Sequence, residues 1–169
     1  MKIALIITSL GMGGAERQVC DLADQFADIG HQVLLVSITG KTVCLPSNPN
    51  IQIEHLCMHK SLLSFINAYT RALGVFRSFS PDVVHSHMIH ANLFARLLRL
   101  KITIPRLICT IHSTFEGGKL WMLAYRLTDS FADITTNVSE AAVRALVEQG
   151  ACKSGRMIAI YNGIDIDHY

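Results

Sequence analysis

The sequence predicts an α/β fold, a doubly wound parallel sheet of about seven strands with helices on both faces. Three observations predict it. Short apolar runs alternate with stretches of helical periodicity along the whole chain. Glycine, proline and asparagine punctuate the junctions between them. No internal repeat, low-complexity segment or composition break interrupts that alternation in the 169 residues.

The first strand is the apolar run over residues 3–7, followed by the turn residues Thr8 to Gly14 with glycine at 11, 13 and 14. From Ala15 the pattern becomes helical, with Val19, Leu22, Ala23 and Phe26 on one face and Gly30 where a helix stops. The second and third strands are predicted over 32–38 and 51–56, across a loop holding Pro46 and Pro49. Leu62, Phe65, Ile66, Tyr69, Ala72, Leu73, Phe76 and Phe79 form a helical stripe for the core, ended by Pro81. A fourth strand over 82–85 leads to a helix over 91–100, and a fifth over 106–111 to a helix over 120–131. A short sixth strand spans 133–136, Ser139 caps a helix that Gly150 ends, and 156–161 is the seventh strand.

Composition narrows the function. Half the residues are hydrophobic, which supports a large core and excludes disorder. No apolar stretch approaches the length of a membrane span, and the start lacks the pattern of a signal peptide. Five scattered cysteines, never spaced C-x-x-C, fit reduced thiols in a cytosolic protein and no zinc site. Net charge is only +2, but residues 60–106 carry seven basic residues against the single acid Asp82. Within that segment 94–106 alternates Arg96, Arg99, Lys101 and Arg106 with leucine and isoleucine. It could dock on an anionic membrane surface or be an ordinary solvated face.

In open parallel sheets ligands bind beyond the carboxyl ends of the strands. Those ends carry the glycine turn with Glu16 and Arg17, then His85, Ser86 and His87, then His112 and Ser113, then Asn137, then Asn162 and Gly163. A glycine turn between a strand and a helix start presents backbone N–H groups and the positive end of the helix dipole to an anion, or is a tight turn with no ligand. Glu16 stands where the dinucleotide fingerprint needs glycine or alanine, and the second strand ends without its acid. Gly40-Lys41-Thr42 lacks the rest of a P-loop and reads as a surface turn. His112 directly follows an apolar strand and has hydroxyls beside it. It can hydrogen-bond a sugar or phosphate, or accept a proton. His85 alternates with apolar neighbours and is either a cleft residue or a satisfied core histidine.

In order, the chain reads GMGGAER between strand and helix, DVVHSHMIHANLFARL, a strand ending in TIH, a VSEA helix start and a strand ending in NGID. This set resembles the N-terminal half of a GT-B glycosyltransferase of retaining family 4, over essentially the whole chain. The resemblance implies one Rossmann-like domain over 1–161. Residues 162–169 would begin the linker to a donor-binding domain absent from this sequence. It implies sugar transfer from a nucleotide-sugar donor, which is a substrate and not a cofactor, to a saccharide or lipid-linked acceptor. It implies no metal, no nucleic-acid partner, and a place in the cytoplasm or on the inner face of the membrane, in polysaccharide biosynthesis. Gly13 and Gly14 would approach the donor pyrophosphate, and His112 would sit beside the transferred sugar as the catalytic residue. Glu16, Arg17, His85, His87 and Asn162 would line the acceptor or cleft side. No carboxylate matches a covalent nucleophile, so no double displacement is assigned. A rival reading is a non-catalytic acceptor-binding or membrane-docking subunit of a split transferase.

Overall fold

A computed structural model describes residues 1–40, 42–113 and 118–163. Seven strands form one all-parallel sheet: β1 (Lys2–Ile7), β2 (Gln32–Ser37), β3 (Gln52–His55), β4 (Val83–His87), β5 (Arg106–Ile111), β6 (Ile134–Asn137) and β7 (Met157–Ala159). Their order across the sheet is β3-β2-β1-β4-β5-β6-β7. The helices are α1 (Gly14–Asp28), α2 (Leu62–Phe79), α3 (Ile89–Leu98), α4 (Lys119–Thr128) and α5 (Glu140–Glu148), with a 3-10 turn over Asp129–Phe131 after α4.

The predicted architecture is the observed one, and the local reasons hold. Ser61 and Ser139 cap α2 and α5, each accepting from the backbone N–H three residues on. Gly30 and Gly150, both at positive φ, follow the ends of α1 and α5. β1 and β2 are almost fully apolar and buried because helices cover both faces of the sheet there.

Strand alternation divides the core in two. On one face Ala4, Ile6, Leu34, Val36, Val84, Leu107 and Cys109 meet α2 and α3, and Ile111 and Met157 continue that face under α4 and α5. On the other, Ile3, Leu5, Ile7, Val33 and Leu35 meet α1 alone. The α1 face continues onto β4–β6 as His85, His87, Thr110 and Thr136, in register with Leu5 and Ile7.

The structure corrects several expectations. β4 runs on to His87 and α3 starts at Ile89, so both histidines belong to the strand and share a face. Met88, between them, takes the left-handed φ of 73° that lets the chain turn so sharply. Leu62 and Ile66 are exposed, because the core stripe of α2 runs through Ala68, Ala72 and Phe76. The basic run 94–106 is no continuous cationic face. Arg96 is fully buried, and Arg99 reaches the Phe131 carbonyl and the Asp133 carboxylate. β7 is shorter than predicted, so Asn162 lies beyond it in exposed chain. Lys41, Thr114, Glu116, Gly117 and residues 164–169 lie outside the described residues.

Candidate functional site

The order β2-β1-β4 reverses the direction of winding, and β1 and β4 flank the crevice where such sheets take ligands. The turn leaving β1 and the histidines leaving β4 and β5 meet there.

The glycine turn is shaped by one acid. Glu16, the third residue of α1, is buried, and its carboxylate lies over the turn, where it accepts from Ser9 Oγ at 3.4 Å. A Cβ on Gly13 would collide with Glu16 Oε2, and one on Gly11 would come within 3.3 Å of Oε1. Gly13 is extended (φ −98°), so a side chain there would be opposed by the present position of the Glu16 carboxylate and not by the backbone angle. Around Gly14 the space is open, and Gly13 and Gly14 are exposed at the start of α1 with no side-chain cap. The first-turn N–H groups of α1 therefore have no acceptor on the N-cap residue, and the nearest charge to them is the Glu16 carboxylate. Arg17 is exposed and pairs with Asp21 at 2.9 Å along α1.

Three histidines form a row beside this turn. The rings of His85 and His87 lie with centroids 4.0 Å apart and tilted by 39°, and those of His87 and His112 are 5.3 Å apart. His87 Nδ1 and His112 Nε2 share a hydrogen bond of 3.0 Å. His85 Nε2 is 2.7 Å from Thr110 Oγ1, which is in turn 2.7 Å from Thr136 Oγ1. His87 is 1% exposed and its Nε2 has no partner among the described residues, whereas His112 is half-buried.

Burial, reinforced by the His112 ring, pushes the His85 imidazole down to about 4. Burial, with both neighbouring rings, holds His87 well below the usual histidine range. His112 is also lowered by burial, but the Glu16 carboxylate opposes that shift. All three rings are therefore neutral near pH 7. Their paired nitrogens face one another or a threonine hydroxyl. Among the described residues no group of three histidine, cysteine or acidic side chains is placed to hold a metal ion.

The structure thus brings together Gly13, Gly14, Glu16, His85, His87 and His112. Arg17 points along α1, and Asn162 stands beyond β7. Sequence reasoning missed Thr110 and Thr136, which anchor the far end of the row. Their parity with His85 across adjacent strands was the available signal. Asn137 is a further structural tie. Fully buried, it donates to the Ser113 carbonyl at 3.1 Å and accepts from the Ile160 backbone at 2.8 Å, joining the exits of three strands.

The fold is shared with solved structures. HepE from Anabaena, solved with UDP and glucose, superposes with TM-score 0.78 at 18% identity, over all of this chain and 46% of that one. Sucrose-phosphate synthase from Thermosynechococcus elongatus gives 0.73 at 13% identity, over 99% of this chain and 49% of that one. The lipopolysaccharide outer core galactosyltransferase WaaB in its apo form gives 0.72 at 17% identity, over 98% and 47%. The chain thus spans about half the length of these structures. No curated protein matches it at significant similarity. The family description Glycosyltransferase Family 4 matches residues 12–168. With that match and this sheet order, the chain belongs to glycosyltransferase family 4, as its N-terminal GT-B domain.

Proposed function

We propose that this chain is the acceptor-side half of a retaining glycosyltransferase that moves a hexosyl group from a nucleoside-diphosphate sugar to a saccharide or lipid-linked acceptor. The observation that carries the reading is the convergence of the open N-terminus of α1 with the His112 ring at the β1/β4 crevice. As the diphosphate leaves, negative charge grows on its oxygens. Backbone N–H groups at Gly13 and Gly14 suit that charge and need no reorganisation. His112, neutral and half-buried, supplies a directed hydrogen bond to the sugar. Glu16 orders the turn, and His85 sits behind the cleft.

The test uses this chain joined to its donor-binding half, screened against nucleotide sugars. His112→Ala is expected to lower turnover about a hundredfold while leaving the melting temperature in place. Near-normal turnover in that variant removes His112 from the chemistry. Acceptor binding without any transfer by the wild type favours the non-catalytic subunit instead. Residues 1–169 alone are expected to bind nucleoside diphosphate weakly and transfer nothing.

A second surface favours a lipid-linked acceptor. Leu120, Trp121, Leu123 and Leu127 are all exposed on the ten-residue α4, whose only charged residues are Lys119 and Arg126. Apolar side chains, a tryptophan and cations together suit the interface of an anionic bilayer. Since Arg96 is buried, α4 replaces segment 94–106 as the docking element. Among the described residues no helix is long and apolar enough to cross a membrane, so contact would be peripheral. Trp121 is the single tryptophan, so its emission reports directly. A blue shift with anionic vesicles at low salt, absent in Leu123→Glu, is expected. Unchanged emission would leave α4 as a protein-facing surface.

A further inference from the structure

We propose that His87 is a positioning residue for His112. Its Nδ1–H donates to His112 Nε2, fixes His112 in the Nδ1–H tautomer, and so makes that ring a hydrogen-bond donor to the ligand and not a base. The inference rests on the reading of His112 as the residue that meets the sugar, and it adds what that residue can and cannot do.

The argument is a count of protons. His87 Nδ1 and His112 Nε2 are 3.0 Å apart, so one of them carries the shared hydrogen. Each neutral imidazole holds one N–H and one bare nitrogen. Suppose His112 Nε2–H donates. Then the proton of His87 must sit on its own Nε2, which is buried with no partner among the described residues. An N–H with no acceptor in the interior is the costlier arrangement. In the other arrangement His87 Nδ1–H donates, and what is left in the interior is a bare lone pair. His112 then holds its proton on Nδ1, and its Nε2 lone pair is already used.

The surroundings keep His87 in this role. It ends β4 directly before Met88, whose φ of 73° begins the turn into α3, so the ring has little backbone freedom. Met88 N donates to the Thr110 carbonyl at 3.1 Å, tying the turn to β5. The His85 ring lies against the His87 ring, tilted by 39°, and is itself held by Thr110. Three elements, β4, β5 and the β4–α3 turn, thus set the plane of one ring, and that ring sets the next. His87 is 1% exposed, so its contribution reaches the ligand only through His112.

Two measurements test this. Nitrogen NMR on histidine-labelled chain 1–169 separates protonated from bare ring nitrogens. His112 is expected with Nδ1 protonated and Nε2 bare, and His87 with Nδ1 protonated. Protonation of His112 at Nε2, or equal populations of both tautomers, overturns the proposal whatever the protein catalyses. In the chain joined to its donor half, an asparagine amide reaches the place of Nδ1 and a glutamine amide that of Nε2. His87→Gln is expected to lower kcat about tenfold to a hundredfold with the donor KM little changed, and His87→Asn to recover most of it. Equal losses in both, at wild-type melting temperature, reduce His87 to packing. Absence of transfer by the wild type would count against the glycosyltransferase reading and leave the NMR result standing.

Discussion

Two polar clusters occupy opposite faces of the same strands, and they have opposite characters. Ser86 faces α3 and α4. It donates to Asn92, and Asn92 donates to the Thr110 carbonyl and to Tyr125. Arg96 follows, spread over the Tyr125 carbonyl, Thr128 and Thr135, with the Tyr125 ring 4.5 Å from its guanidinium. Apart from Arg96 Nε, the polar atoms of this cluster have partners, and it is sealed beneath helices. One residue to either side, His85 and His87 face the other way. Each cluster holds one unpartnered buried nitrogen, but the histidine row ends in the half-buried His112 ring at the crevice. A satisfied, closed network holds elements together, whereas an open one retains unused bonding capacity for a ligand.

The comparison breaks most visibly at Arg96. Arg96→Ala strips hydrogen bonds from three partners and leaves a void beneath Tyr125, so unfolding free energy is expected to fall by about 4 kcal/mol. Urea unfolding of residues 1–169 measures it. Turnover per folded molecule in the chain joined to its donor half should be unchanged. A loss under about 1 kcal/mol would mean that the sealed network is not a structural joint.

The smaller effect sharpens the other side. A histidine whose folded value lies below its unfolded value stabilises the fold fully above the unfolded value and loses that contribution as pH falls toward the folded one. For His85, whose folded value is about 4, the window runs from about 6.5 down to about 4. The cost across it is on the order of 3 kcal/mol, with His87 and His112 adding in the same direction. Asp133, held below the usual carboxylate range by Arg99 and the Leu107 N–H despite its partial burial, weakens only at lower pH. The urea midpoint should therefore be flat above pH 7 and decline from there to pH 4. A midpoint constant between pH 7 and pH 5 would contradict neutral, buried histidines.

The sheet was legible because each strand is a short apolar run, and apolar runs report burial directly. The glycine turn and His112 were legible because they sit at strand ends, where topology places ligands. Arg96 was not. Its neighbours along the chain resemble a cationic surface, and its partners Tyr125, Thr128 and Thr135 are about thirty or more residues away in sequence. His87 stands at a strand end in the sequence, but a strand that stops at His85 conceals which face it shares. Once β4 reaches His87, side-chain alternation alone sets it beside His85 on the open face. The contact between Gly13 and Glu16 is local in sequence, but it depends on which way a carboxylate folds, and no residue pattern records that.

The placement of β1 has a kinetic consequence. It precedes the other six strands of the sheet in sequence and lies in the interior of that sheet. One edge pairs with β2 within the first forty residues, but the other waits for β4. The closing contacts join Lys2 to Asp82, eighty residues apart in the chain. Until β4 exists, β1 carries a row of unpaired N–H and C=O groups, and the crevice beside it has only one wall. Distant pairing of this kind slows folding, because a long loop must close before its contacts form. The ligand crevice therefore takes shape only once β4 has joined β1.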